Sequence, residues 1–230
     1  MGKVRFIQDK DYTSFFTCGF YRPNHRYYLV DENDKILFTI EEDRSTFTKF
    51  CCNNDMGSCK AILYLGYKHA EIAHYQKDIT IPSCFCNLKR PTTNIIDPNT
   101  TLSLGKITNP VGKWFSCKGQ IVEVRDSHDK LCYELYNDSF CVPFFCCPLP
   151  LKYFNSASFK INFPSDALME GETKEMNNNL DLTKEYSDCA GEWCSATVLF
   201  EFNTISSWTN FDYARFLAAL HMMTTMYFHD

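Results

Sequence analysis

At 230 residues, with 23 basic against 28 acidic side chains and a net charge of −5, the chain can form one large or two small domains with a sizeable core, and its bulk charge does not suggest nucleic acid as a main partner. Its thirteen cysteines are an odd number, the first residues (Met-Gly-Lys-Val-Arg-Phe) lack the apolar core of a signal peptide, and a disulfide framework is therefore not expected. No Cys-x-x-Cys pair occurs, adjacent pairs such as Cys51-Cys52 are poorly spaced for tetrahedral metal binding, and Phe6 weakens a myristoylation signal at Gly2.

Residues 1–25 read as a preface in which 4–7 and 15–21 are either strands or loose chain. From Arg26 the pattern sharpens: Tyr28, Val30, Ile36, Phe38 and Ile40 alternate with polar residues around a turn at 31–35, which predicts a β-hairpin. Residues 61–66 and 71–75 predict a second hairpin, 82–101 a loop carrying Cys84, Cys86, Pro91 and Pro98, and 102–108 a strand. The pattern then recurs ninety-five residues on. Asp31-x-x-Asp34-Lys35-Ile36 returns as Asp126-x-x-Asp129-Lys130-Leu131, Phe38 and Ile40 as Tyr133 and Leu135, and Phe50-Cys51-Cys52 as Phe145-Cys146-Cys147. Leu63 and Leu65 match Phe159 and Ile161 with a shift of one. Residues 165–179 are polar and read as a loop inserted into the second copy, a short strand ends at Thr183 and Lys184, and 195–203 form a long alternating strand.

The last segment, 209–228, is the one long stretch with helical character, with no Gly or Pro, a cap at Thr209 or Asn210, and Asp212 in the first turn. Phe211, Phe216, Leu217, Leu220, Met223 and Tyr227 point in nearly every direction, so the helix belongs inside a protein or inside a membrane. Its length of about 27 Å fits either. Arg215 at about +2.5 to +3.5 kcal/mol nearly cancels the Leu and Phe contributions of about −0.3 to −0.6 each, and His221 adds further cost, which favours burial in protein. Arg215 is then expected to find a carboxylate or carbonyl, or the rim of the fold, and His221 to be a hydrogen-bonded core histidine. Two similar β halves, about 26–110 and 119–208, are each too open to cover a core; closing them into one barrel removes the edges, and the helix fills the bore.

These features resemble the phospholipid scramblases, which share the tubby-like twelve-stranded barrel around a C-terminal helix. The residues that carry the resemblance are Arg26-Tyr27-Tyr28-Leu29-Val30-Asp31, Ile36-Leu37-Phe38-Thr39-Ile40-Glu41-Glu42-Asp43 and Cys51-Cys52, followed in the family's order by the second copy, the Cys84/Cys86 loop and Met226-Tyr227-Phe228, over about 26–230. The resemblance implies a mainly β protein that moves phospholipid between leaflets without ATP, or binds membrane lipid, at the cytosolic face of the plasma membrane. The alternative is a non-enzymatic module that reads phosphoinositides or proteins, in the cytoplasm or nucleus. Cys84 and Cys86 stand where relatives carry an acylated cysteine run, with Lys89, Arg90, Lys113 and Lys118 as candidates for contact with anionic headgroups. Calcium is the implied cofactor. In the corresponding stretch only Asp188 and Glu192 remain as acids, fewer carboxylates than six to eight oxygen ligands call for.

Overall fold

In a computed structural model the described residues are 3–9, 24–44, 59–77, 92–108, 121–137, 159–164, 200–203 and 208–227. They form eleven strands and one helix: β1 (Lys3–Gln8), β2 (Arg26–Asp31), β3 (Ile36–Asp43), β4 (Cys59–Leu65), β5 (Ala70–Lys77), β6 (Thr92–Ile96), β7 (Ser103–Thr108), β8 (Ile121–Asp126), β9 (Leu131–Asn137), β10 (Phe159–Asn162), β11 (Phe200–Asn203) and α1 (Asn210–Tyr227). The protein is mainly β, with a single antiparallel sheet in the order β10-β9-β8-β7-β6-β5-β4-β3-β2-β1-β11. β1, which the sequence leaves open between strand and preface, is hydrogen-bonded on both sides, to β2 and to β11. β6 is a correction: the stretch read as one loop contains a paired strand. Its Thr-Thr-Asn-Ile-Ile is β-branched, and the strand closes on a turn where Asp97 Oδ1 accepts from the Asn99 amide at 2.8 Å.

The internal repeat is visible in backbone detail. β2 and β8 begin and end at equivalent positions, and each carries a bulge two residues before its terminal Asp, at Leu29/Val30 and Val124/Arg125. The following turns are built alike. Asp31 Oδ1 accepts from the amides of Asn33 (2.8 Å) and Lys35 (2.9 Å), and Asp126 Oδ1 from those of His128 (2.8 Å) and Lys130 (2.9 Å). Asp34 and Asp129 occupy the left-handed region with φ of 59° and 65°, which Asp tolerates better than most residues. The strand register revises one match. Ile40 pairs with Leu63 and its counterpart Leu135 pairs with Ile161, so Leu63 corresponds to Ile161 rather than to Phe159. Pairing partners, rather than spacing along the chain, define equivalence once a loop between the strands has changed length.

Antiparallel order gives the sheet two unlike ends. The tight turns β2–β3, β4–β5, β6–β7 and β8–β9 lie at one, the turn end; the connections 44–58, 78–91, 109–120 and 138–158 leave from the other, the loop end. α1 starts at the turn end, where Thr209 caps it reciprocally. The Asp212 amide donates to Thr209 Oγ1 (3.3 Å), and the Thr209 hydroxyl and amide donate to Asp212 Oδ2 (2.6 and 2.9 Å). The helix then runs through the concave face of the sheet. It packs on β5, β6, β7 and β8. Its rings also meet the other side of the curl: Phe216 meets Phe202 of β11 at 4.9 Å, Tyr213 meets Phe38 of β3 at 5.6 Å, and His221 meets Tyr27 of β2 at 5.2 Å. Phe216 to Leu220, Met222 and Met223 are almost wholly buried, in one core with the inward residues of the strands. A helix apolar on all sides is thus covered by a sheet that curls around it, and each large side chain so buried contributes about 1.5–3 kcal/mol.

Two helix residues sit at the turn-end rim: Phe211, which the sequence counts among the enclosed apolar residues, and Arg215, which finds the carbonyl and carboxylate partners expected of it. Phe211 is 48% exposed because it lies in the first turn, outside the sheet's grip. Arg215 is half-buried, donating from Nε to the Leu104 carbonyl (3.0 Å) and from Nη1 to Asp212 Oδ1 (3.2 Å). Gly105 makes room beside it: its φ is 150°, and a Cβ there would lie 2.3 Å from the Arg125 carbonyl and 3.4 Å from Arg215 Nε. Tyr227 ends the helix and its side chain lies outside the described residues. Urea unfolding separates the two classes: Leu217→Ala is expected to cost about 2–5 kcal/mol, and Phe211→Ala less than about 1 kcal/mol.

Candidate functional site

Near the loop end of the curl, the inward face of the sheet turns from apolar to charged. Phe38, Ile40, Glu42 and Arg44 share one face of β3 and its extension by the two-residue period, so the phase that buries Phe38 and Ile40 also buries a carboxylate and a guanidinium. Cys59, in phase with Ala61 and Leu63, opens β4, and Lys77, in phase with Ala73 and Tyr75, closes β5 opposite it. His221 arrives from α1. All five are under 9% exposed: Glu42 4%, Arg44 7%, Cys59 7%, Lys77 4% and His221 4%.

Glu42 is the hub. Its Oε2 accepts from Arg44 Nε and Nη2, both at 2.9 Å, and from the His25 amide at 3.2 Å. Its Oε1 accepts from His221 Nε2 at 2.8 Å and from the Tyr27 hydroxyl at 3.4 Å. An ionised carboxylate only accepts, so the His221 proton toward Glu42 is on Nε2. The contact joins residues 179 positions apart and ties the helix to the wall. Burial opposes ionisation of Glu42, but Arg44, the His221 hydrogen bond and His25 outweigh it and hold the carboxyl well below its ordinary range. Burial likewise raises the Tyr27 hydroxyl well above its ordinary value, reinforced by Glu42, and pushes the Cys59 thiol up to about 12. A neutral, buried thiol of this kind is a poor nucleophile. In the sequence of the second copy, the positions equivalent to Glu42 and Arg44 are Asn137 and Ser139, so the acid and the base of this cluster are not repeated there.

Among the described residues, Glu42, Cys59 and His221 are the one group of His, Cys and acid side chains whose donor atoms converge, all within 4.8 Å of one another. The sequence picks out His221 as a hydrogen-bonded core histidine and does not single out Glu42 or Cys59 as site residues. The signal that finds Glu42 is an acid falling on the inward phase of a strand. The other sequence candidates are not brought together by the described residues. Cys84, Cys86, Lys89, Arg90, Lys113, Lys118, Asp188 and Glu192 all lie outside them. His74 pairs with Glu71 at 3.1 Å on the exposed side of β5, and His69 sits in the β4–β5 turn, so these two histidines do not converge on a common ligand.

Comparison with known proteins adds no assignment: no family model, curated protein or solved structure matches the chain.

Glu42→Gln keeps the shape but leaves Arg44 buried without its counter-charge, and is expected to cost about 3–5 kcal/mol in urea unfolding at neutral pH. Because the folded protein holds Glu42 below its unfolded value of about 4.3, the stability it contributes is complete above that pH and is lost as pH falls through the lower folded value. The gap between wild type and Glu42→Gln should therefore narrow on acidification below about pH 4.

Proposed function

We propose that the chain is a non-enzymatic lipid-binding module of the scramblase and tubby-like kind, a twelve-stranded barrel closed around α1 that docks on anionic phospholipid at the cytosolic face of the plasma membrane without inserting its helix. The observation that carries the reading is the burial of α1 and its tie to the wall through Glu42 and His221. A helix so held is not free to span a bilayer, and among the described residues no helix is long and apolar enough to cross a membrane. Surface binding is therefore favoured over transport along an inserted helix.

Strand parity supports the closure. β10 and β11, the two edges of the described sheet, run in the same direction, since each antiparallel step reverses the chain and ten steps separate them. An all-antiparallel ring therefore needs an odd number of further strands between them. One strand from 163–199, such as the one expected to end at Thr183 and Lys184, has the right start and finish, because β10 ends at the turn end and β11 begins at the loop end. The same topology is compatible with the proposed lipid contacts. β5–β8 are neighbours, and the connections 78–91 and 109–120, which contain Cys84, Cys86, Lys89 and Arg90 and Lys113 and Lys118, start and finish at adjacent strand ends. In this reading acyl chains on the two cysteines anchor the protein and the four cations meet the headgroups, each contributing about 1 kcal/mol near an anionic surface.

Vesicle flotation tests it. The protein should float with phosphatidylserine-containing vesicles and not with phosphatidylcholine alone. Changing Lys89, Arg90, Lys113 and Lys118 to Ala together should weaken binding by about a thousandfold, the equivalent of roughly 4 kcal/mol. Equal binding to both vesicles, or no loss in the variant, contradicts the proposal. With fluorescent lipid in both leaflets and an impermeant quencher, quenching should stop near one half with and without calcium; complete quenching would assign lipid translocation instead.

A further inference from the structure

The geometry points to a transition-metal site of the zinc class at Glu42, Cys59 and His221, a divalent ion that staples α1 to the barrel wall. The three donors come from β3, β4 and the helix, and none needs more than a small movement. Zinc bonds of about 2.0 Å to N and O and about 2.3 Å to S place tetrahedral donors about 3.3–3.6 Å apart. Here His221 Nε2 and Glu42 Oε1 are 2.8 Å apart, and all three donor atoms lie within 4.8 Å of one another. On binding, the His221 proton moves from Nε2 to Nδ1, which frees Nε2 for the ion in place of its hydrogen bond to Glu42, and the Cys59 thiol releases its proton to solvent.

The donor set selects the metal. One thiolate, one imidazole and one carboxylate suit zinc, while calcium calls for six to eight oxygens and finds a single carboxylate here. The Glu42 carboxylate and a Cys59 thiolate supply two anionic donors to the ion, with Glu42 shared between the ion and Arg44. Arg44 need not leave, because it binds Oε2 and the metal takes Oε1; a hydrogen-bonded outer oxygen is the usual support for a ligating carboxylate. Three protein ligands leave one position for water. The repeat supplies an independent observation. The second copy pairs β8 with β9 as the first pairs β2 with β3, and its sequence has Asn137 and Ser139 at the positions of Glu42 and Arg44, so the hairpin pairing itself does not require the charged group.

Cobalt(II) reports the site, because thiolate coordination gives an intense charge-transfer band and a tetrahedral ligand field intensifies the visible bands. The full chain, stripped with chelator and kept reduced, should bind one equivalent of cobalt with both signatures, and zinc should displace it. Cys59→Ser should lose the thiolate band, and His221→Gln should change the visible bands. At free zinc a hundred times its Kd, the folded-to-unfolded ratio of the wild type should rise about a hundredfold. The other twelve cysteines make the stoichiometry and the variants decisive: a spectrum unchanged in Cys59→Ser, or the lack of any thiolate band in the wild type, overturns the proposal. Should either variant fail to fold, X-ray absorption on the zinc-loaded wild type decides it. One sulfur with nitrogen and oxygen neighbours is expected; several sulfurs, or none, contradict it. Vesicle binding is read separately, so either proposal can fail without the other.

Discussion

An 18-residue helix that is apolar on every side must be enclosed, and the rest of this protein follows from enclosing it. One hairpin cannot do so, and neither can half of the repeat. Eleven antiparallel strands in one curled sheet supply the wall, and their inward residues and the helix form a single core. The enclosing surface is apolar for most of its length. At the loop end it is not, and there Glu42 accepts from Arg44, His221, Tyr27 and the His25 backbone, satisfying both carboxylate oxygens. Buried charge of this sort adds little net stability compared with apolar packing, but breaking it is costly. Its effect is to fix how deep the helix sits and how it is rotated, because only one helical position brings His221 to Glu42.

Two points along α1 are held by different physics. At the turn end, the Thr209–Asp212 cap and Arg215 on the Leu104 carbonyl are partly exposed contacts of modest strength. Further along the helix, the hydrogen bond from His221 to Glu42 is buried and in low dielectric, where an unpaired group is costly. Between them, Leu217 to Leu220 have no exposed surface to lose. An opening that begins at the rim therefore meets rising resistance toward His221. That gradient argues against insertion of the helix, which is the part of the proposed function that it supports.

Much of the architecture could be read from the amino-acid order. Alternation of Tyr28, Val30, Phe38 and Ile40 gives the first hairpin, and its recurrence at Val124, Tyr133 and Leu135 gives the second half, down to the matching Asp turns. The helix is legible in the same way, and its cap is narrowed to Thr209 or Asn210, of which the structure uses Thr209. β6 was not, because Thr92 to Ile96 is short and hemmed by Pro91 and Pro98; its strand state comes from two neighbours rather than from its own pattern. The site was legible only in part. His221 stands out as a polar residue on an apolar helix. Glu42 hides beside Glu41, which faces outward to Arg26 and Lys68, and only strand phase separates the two. Cys59 is one of thirteen cysteines, and nothing local distinguishes it before β4 is paired.

The central claim is that α1 stays enclosed, in the free protein and in the proposed docking on a membrane surface. Hydrogen exchange of the α1 amides, followed in free and vesicle-bound protein, tests this most directly. The account predicts that the amides of Phe216 to Met223 exchange only through global unfolding in both states, with unchanged protection on binding. Loss of that protection in the vesicle-bound protein, or exchange through an opening that frees α1 while the sheet stays intact, would contradict it.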